Sequence, residues 1–139
     1  MDNTIANILA PLLGVTICRV PYGQWIIQID FDNGYELGIE CHWEYRNAVG
    51  ILLDRWIEKV GERTSFLLWR LVGKTVSNAH YEVSSPPVLT FTFTDGEMLT
   101  VFADHSGYEN WSIIDLKPSG FKLIVKGNDF DYFGEIPTK

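Results

Sequence analysis

Apolar and polar residues alternate in two stretches of the chain, and each stretch breaks at a glycine. Trp25, Ile27, Ile29 and Phe31 fall on one side of an extended backbone, with Gln28 and Asp30 on the other. This is the two-residue period of a strand with one buried face. Tyr35, Leu37, Ile39 and Cys41 continue the alternation. A two-residue Asn33-Gly34 turn would set the two apolar rows on opposite faces. A three-residue loop, Asp32-Asn33-Gly34, pairs Phe31 with Tyr35 and Ile29 with Leu37 and merges them. Such loops want a left-handed residue last, and Gly34 supplies it. The second stretch obeys the same rule. Leu89, Phe91 and Phe93 face inward, Thr90, Thr92 and Thr94 outward, and the loop Thr94-Asp95-Gly96 sets Phe91 against Leu99.

The two hairpins sit in a longer repetition. Leu12-Leu13-Gly14-Val15-Thr16-Ile17 recurs as Leu71-Val72-Gly73-Lys74-Thr75-Val76, and Phe31-Asp32-Asn33-Gly34 as Phe93-Thr94-Asp95-Gly96. An acidic-aromatic cluster follows each hairpin, His42-Trp43-Glu44-Tyr45 and then Tyr108-Glu109-Asn110-Trp111. The period is too long for a solenoid. It predicts two hairpin halves, residues 12–47 and 71–112, around a pseudo-two-fold axis. Between them Val49, Leu52, Leu53, Trp56, Ile57 and Val60 recur at helical spacing, with Asp54, Arg55, Glu58 and Lys59 opposite. These predict an amphipathic helix ended by Gly61. Thr64 or Ser65 would cap a second helix, Phe66–Val72, and Asn3 a short one over Thr4–Leu13. Pro86-Pro87 would open the strand Val88–Phe93. Phe121–Val125 reads as another strand and Asn128–Lys139 as an acidic, aromatic tail. The expected fold is α+β, one domain over residues 1–139. Mostly antiparallel sheet comes from the two repeated hairpin halves, with a central amphipathic helix packed on it and helices over 48–70 as the link.

Composition narrows the role. A chain of 139 residues with 46% hydrophobic content and 5 Trp, 8 Phe and 6 Tyr is too apolar for a solvated coil and large enough to hold a core. Its 18 acidic residues outweigh 11 basic ones, for a net charge of −7. That argues against a general nucleic-acid binder, which would need a basic face, and against an anionic membrane surface. The start, Met1-Asp2-Asn3-Thr4-Ile5, carries no basic region, and Pro11 and Gly14 break the apolar stretch Ile5–Ile17. No signal peptide or membrane span is expected, and the cytoplasm is the expected compartment. Cys18 and Cys41 are too few for a disulfide framework and read as buried reduced thiols.

Catalytic patterns fail on inspection. Gly73-Lys74-Thr75 spells the end of a phosphate-binding loop, but Leu68 stands where its first glycine belongs. Lys74 is then a solvated residue at a strand start. The metal-ligand candidates are Cys18, Cys41, His42, His80 and His105. Cys41 and His42, adjacent on a strand, point to opposite faces, and no CxxC or HxxxH spacing occurs. Asp104-His105-Ser106 places triad residue types side by side, whereas a triad gathers them from separate segments. It reads as a polar loop. Glu36 and Glu40 share the outer face of one strand, with Glu44 in the same parity and Asp30 and Gln28 beside them. Such a row is a solvated face, a charged binding face or, if two acids are buried together, an acid-base pair. No cofactor, metal or catalytic residue is expected.

The acidic-aromatic clusters carry the functional reading. Trp43, Tyr45, Tyr108, Trp111, Phe130, Tyr132 and Phe133 lie beside Glu44, Glu109, Asp129 and Asp131. Aromatic anchors ringed by carboxylates suit a partner rich in Lys and Arg. The unit from Leu71 to Trp111 (Leu-x-Gly-Lys-Thr-Val, then Phe-x-Phe-Thr-Asp-Gly-x-x-Leu, then Tyr-Glu-Asn-Trp) resembles immunity proteins of bacterial polymorphic toxin systems, including contact-dependent growth inhibition. The resemblance covers about forty residues well, and the first half departs where Tyr45-Arg46-Asn47 replaces Glu109-Asn110-Trp111. It implies a cytoplasmic, non-catalytic inhibitor that binds a cognate toxin domain. A nuclease toxin offers the basic cleft such an acidic body would occupy. The residues expected at that interface are Glu36, Glu40, Glu44, Asp104, Glu109, Trp111, Asp129 and Asp131. A competing reading is a small-molecule-binding or regulatory module with a pocket between the halves lined by Trp25, Trp43 and Trp111. A third is an enzyme using paired carboxylates. No oligomeric state follows from the sequence.

Overall fold

A computed structural model describes residues 4–21, 27–56, 70–117 and 120–134. The chain opens with a short helix, Thr4–Leu9 (α1), continued by a 3-10 turn over Ala10–Leu12. Ile5, Ile8 and Leu9 are its buried residues, at the spacing of one helical face. The rest is extended: Ile17–Arg19 (β1), Ile27–Phe31 (β2), Tyr35–Ile39 (β3), His42–Arg46 (β4), Leu52–Trp56 (β5), Val76–Glu82 (β6), Val88–Phe93 (β7), Met98–Phe102 (β8), Trp111–Asp115 (β9), Lys122–Lys126 (β10) and Asp129–Phe133 (β11). These strands form two antiparallel sheets. One runs β1-β2-β3-β9-β10-β11, the other β5-β4-β8-β7-β6.

Both hairpin registers are those the alternation predicts. Ile29 faces Leu37 and Phe91 faces Leu99. Gly34 and Gly96 close the loops at φ of 90° and 91°. The residue before each glycine fixes the turn, since Asn33 Oδ1 accepts from Tyr35 N at 3.1 Å and Asp95 Oδ1 from Glu97 N at 2.9 Å. Asn and Asp favour such turns for this reason.

The strand order spreads each expected half over both sheets. β1–β3 lie in the six-stranded sheet while β4 and β5 lie in the five-stranded one; β6–β8 and β9–β11 do the reverse. β3 pairs with β9 and β8 pairs with β4, so Trp111 lies opposite Ile39 and Trp43 opposite Val101. At the join, Gly14 N donates to Val76 O and Gly73 N to Ile17 O, both at 2.8 Å. Thr16 and Thr75 bridge there, with their hydroxyl oxygens 2.9 Å apart.

The central helix is corrected within the described residues. Leu52–Trp56 is an edge strand paired with β4, and Val49 and Ile51 stand exposed. Asn47 forms the turn instead, its Oδ1 accepting from Val49 N at 3.0 Å and Ile51 N at 2.9 Å, with Gly50 at φ 90°. Leu52, Leu53 and Trp56 fit helical spacing, but so short an apolar set does not separate helix from strand. Residues 57–60 lie outside the described residues, as do 66–69 of the second expected helix, of which Arg70 and Leu71 are helical. The acidic tail contains the edge strand β11. The core between the sheets includes Trp43, Tyr45, Leu37, Phe91, Trp111 and Ile113. No helix among the described residues is long and apolar enough to cross a membrane.

Candidate functional site

β8 ends at Phe102, and the chain crosses to the other sheet through residues 103–110 before β9. Asn110 anchors this crossing and is 1% exposed. Its backbone O accepts from Glu40 N and its N donates to Val125 O, both at 2.8 Å. Its side-chain Oδ1 accepts from Gly127 N at 2.6 Å and Asp104 N at 3.3 Å, while Nδ2 donates to Asp104 Oδ1 at 3.0 Å. One buried amide thus gathers the end of β3, the crossing loop and the β10–β11 turn. At Gly127, with φ of 56°, a Cβ would come 3.0 Å from Asp104 O, so a side chain there would press on the crossing loop.

Five of the expected interface residues converge on this end. Glu40, Asp104 and Glu109 flank the Asn110 junction, and Asp129 and Asp131 rise from β11. A recess of about 480 Å³ is lined by Gly107, Lys126, Asp129, Phe130 and Asp131. Lys126 Nζ lies 2.9 Å from Asp131 Oδ2, and that carboxylate raises the ammonium pKa, with Glu109 adding to the effect. Among the described residues Glu40, Glu109 and Asp129 have no ion-pair partner. Burial pushes the Glu40 carboxyl above its ordinary value, and the charge of Glu109 pushes it further. Asp104 goes the other way. Burial opposes ionisation there, but hydrogen bonds from Ser106 and Asn110 outweigh it and hold the pKa low. The Asp104-His105-Ser106 run is a turn, with Ser106 N donating to Asp104 Oδ1 at 3.0 Å.

The other three expected residues lie elsewhere. Glu36, on β3, faces Asp30 across the six-stranded sheet; burial first and Asp30 second raise its pKa, against a lowering pull from Arg19. Glu44 belongs to the five-stranded sheet, where it accepts from Arg46 at 2.9 Å and lies 3.5 Å from His42 Nε2. Trp111 is 1% exposed, a core residue whose ring is closed off from any partner. Tyr108, 78% exposed, is the aromatic residue the crossing loop presents instead. The proposed tryptophan pocket is corrected on the same ground. Trp43 and Trp111 are sealed in the core, and Trp25 lies outside the described residues.

A second concavity is a groove of about 510 Å³ beside α1, lined by Ala6, Leu9, Ala10, Ala79, Tyr81, Val83 and Phe130 among others. Alanines leave the space, and His80 and Asn128 give the lining its polar atoms.

Sequence reasoning missed Glu97. It follows the second hairpin turn at the place Tyr35 holds in the first, and it faces inward. Its carboxylate accepts from Tyr45 Oη at 2.6 Å and from Arg70 Nε at 2.7 Å, with Lys74 Nζ at 3.0 Å. Arg70 Nη2 bonds the second oxygen, and Lys74 also pairs with Asp95. Arg70 does most to hold the Glu97 pKa down at about 2, with burial opposing and Tyr45 and Lys74 assisting. Lys74 is therefore a paired residue, correcting its reading as a solvated one. The signal available was an acid in an inward-facing position of a threonine-phenylalanine hairpin. Cys18 is exposed, against expectation, and Cys41 is buried with its thiol pKa pushed up by burial. Among the described residues no three His, Cys, Asp or Glu side chains are grouped to hold a metal.

No family model, no curated protein and no solved structure matches the chain.

Proposed function

We propose that this chain is a non-catalytic, acidic binding protein that captures a basic protein partner at the recess organised by Asn110. The observation that carries this is the Glu40–Glu109 pair, close enough for one charge to raise the other's pKa and with no ion-pair partner among the described residues, beside the recess lined by Asp129 and Asp131. Like charges on a surface repel, and a Lys or Arg from a partner relieves that repulsion. The recess beside Phe130 gives such a side chain somewhere to go. With a net charge of −7, the whole body also steers a cationic partner during encounter.

The resemblance of Leu71–Trp111 to toxin immunity proteins supplies the partner: a cognate toxin domain, a nuclease whose phosphate-binding cleft is basic, met in the cytoplasm. We further read the matched bonds at Gly14 and Gly73, together with the matched hairpin registers, as two copies of one folding unit. Co-expression with the product of the adjacent upstream reading frame tests the partner. Neutralisation and co-purification are expected, and the absence of both overturns the toxin reading. Glu109→Lys is the sharper variant, because Glu109 is exposed while Asp104 is tied into the Asn110 junction. It is expected to weaken the complex by about 1–2 kcal/mol and to flatten its salt dependence, with the melting temperature unchanged.

A further inference from the structure

The groove beside α1 and the acidic recess share one residue, Phe130. On one side of it lie Leu9, Ala79, Tyr81 and Val83; on the other, Asp129 and Lys126. The groove's volume, about 510 Å³, falls in the range of about 300–1,000 Å³ usual for sites that enclose an organic group. We propose that groove and recess form one composite site for a segment of a partner protein in which an apolar side chain adjoins an arginine or lysine. The apolar group seats beside α1 and the cation reaches past Phe130 to Asp129.

Charge selects this occupant. Lys126 is already paired with Asp131, which leaves Asp129 as the carboxylate at the lip without an ion-pair partner among the described residues. A second copy of the chain would bring another net charge of −7 against these acids, and an anionic amphiphile meets the same repulsion. A guanidinium crossing Phe130 also gains from the negative face of the ring. The proposal rests on the basic-partner reading above and adds to it the apolar half of the recognition.

Nuclear magnetic resonance titration of the full isotope-labelled chain tests it. The probes are n-hexylguanidinium, guanidinium, n-hexanol and hexanoate. Hexylguanidinium is expected to shift amides of both residues 79–83 and residues 126–131 saturably, with a Kd at least about 10-fold below that of guanidinium or hexanol. Ala6→Leu, which fills the groove from the exposed side of α1, should reduce hexylguanidinium to the level of guanidinium. Asp129→Asn should leave hexanol binding intact and remove the gain from the cation. Hexanol binding as tightly as hexylguanidinium would overturn the composite site, making the groove a plain apolar pocket and leaving the basic-partner reading standing. Guanidinium binding as tightly as hexylguanidinium would also overturn it, and would support a recess that acts alone. Shifts from no cation at residues 126–131 would overturn both readings.

Discussion

Glu97 shows how one residue decides the character of its surroundings. A carboxylate facing the core between two sheets is costly unless it is paired and fully hydrogen-bonded. Here Tyr45, Arg70 and Lys74 supply the donors. The acid has a pKa of about 2 in the folded chain against an ordinary 4.5, so the folded state favours its ionised form. The stabilisation is complete above pH 4.5, the unfolded value, and drains away as pH falls towards 2. A shift of this size corresponds to about 3 kcal/mol, and about 2 remains after allowing for water around the partly exposed Arg70. Urea denaturation across pH 7 to 2 should show Glu97→Gln less stable than the parent at pH 7 by about 2 kcal/mol. The gap should close as the parent loses its own share in acid. A constant difference at every pH would mean that size or packing, and not charge, matters at this position.

At the scale of elements, the hairpins were legible and the β4–β5 connection was not. The hairpins declare themselves through three agreeing signals: two-residue alternation, an Asn or Asp that binds the backbone two residues on, and a glycine at the left-handed position. Around Asn47 the turn signal was present in Asn47 and Gly50, but Leu52, Leu53 and Trp56 also fit a helical stripe. Pairing with β4 across the Asn47–Gly50 turn settled the matter in favour of a strand. The interface reading fared unevenly for a related reason. Surface acids at the β8–β9 crossing and on β11 stand out in the sequence as candidates, yet nothing local marks Asn110 as the group that joins the crossing to its neighbours, or Trp111 as sealed. Gly34 and Gly96 test the turn geometry directly. Both have φ near 90°, but a Cβ at Gly34 meets nothing closer than Lys117 Cε at 4.0 Å, while one at Gly96 comes within 2.9 Å of the Ala48 Cβ. Gly34→Ala should cost about 1 kcal/mol for backbone strain alone. Gly96→Ala should cost about 1–2 kcal/mol more, because the Asn47–Gly50 turn must shift. Equal losses in thermal denaturation would show that the Ala48 contact gives way freely.

For the whole molecule, the exchanged pairing matters more than the number of strands. β3 needs β9 and β8 needs β4, so neither half closes its own sheet. Independent unfolding of residues 12–47 and 71–112 would leave β3 and β8 as bare edges. Near-ultraviolet and far-ultraviolet circular dichroism should therefore report one coincident transition in urea, as for a two-state domain. Two separated transitions would mean that the halves hold without each other.

The same pairing sets the order in which the chain becomes complete as it is made. β1, β2 and β3 leave the ribosome with the far edge of β3 bare, and its partner starts only at Trp111. β4 waits for Met98–Phe102 in the same way. Until the second half arrives, the first carries two open backbone edges, the kind of surface that captures other chains. A newly made copy therefore passes through a stage in which β3 and β4 still lack the partners that residues 98–115 supply.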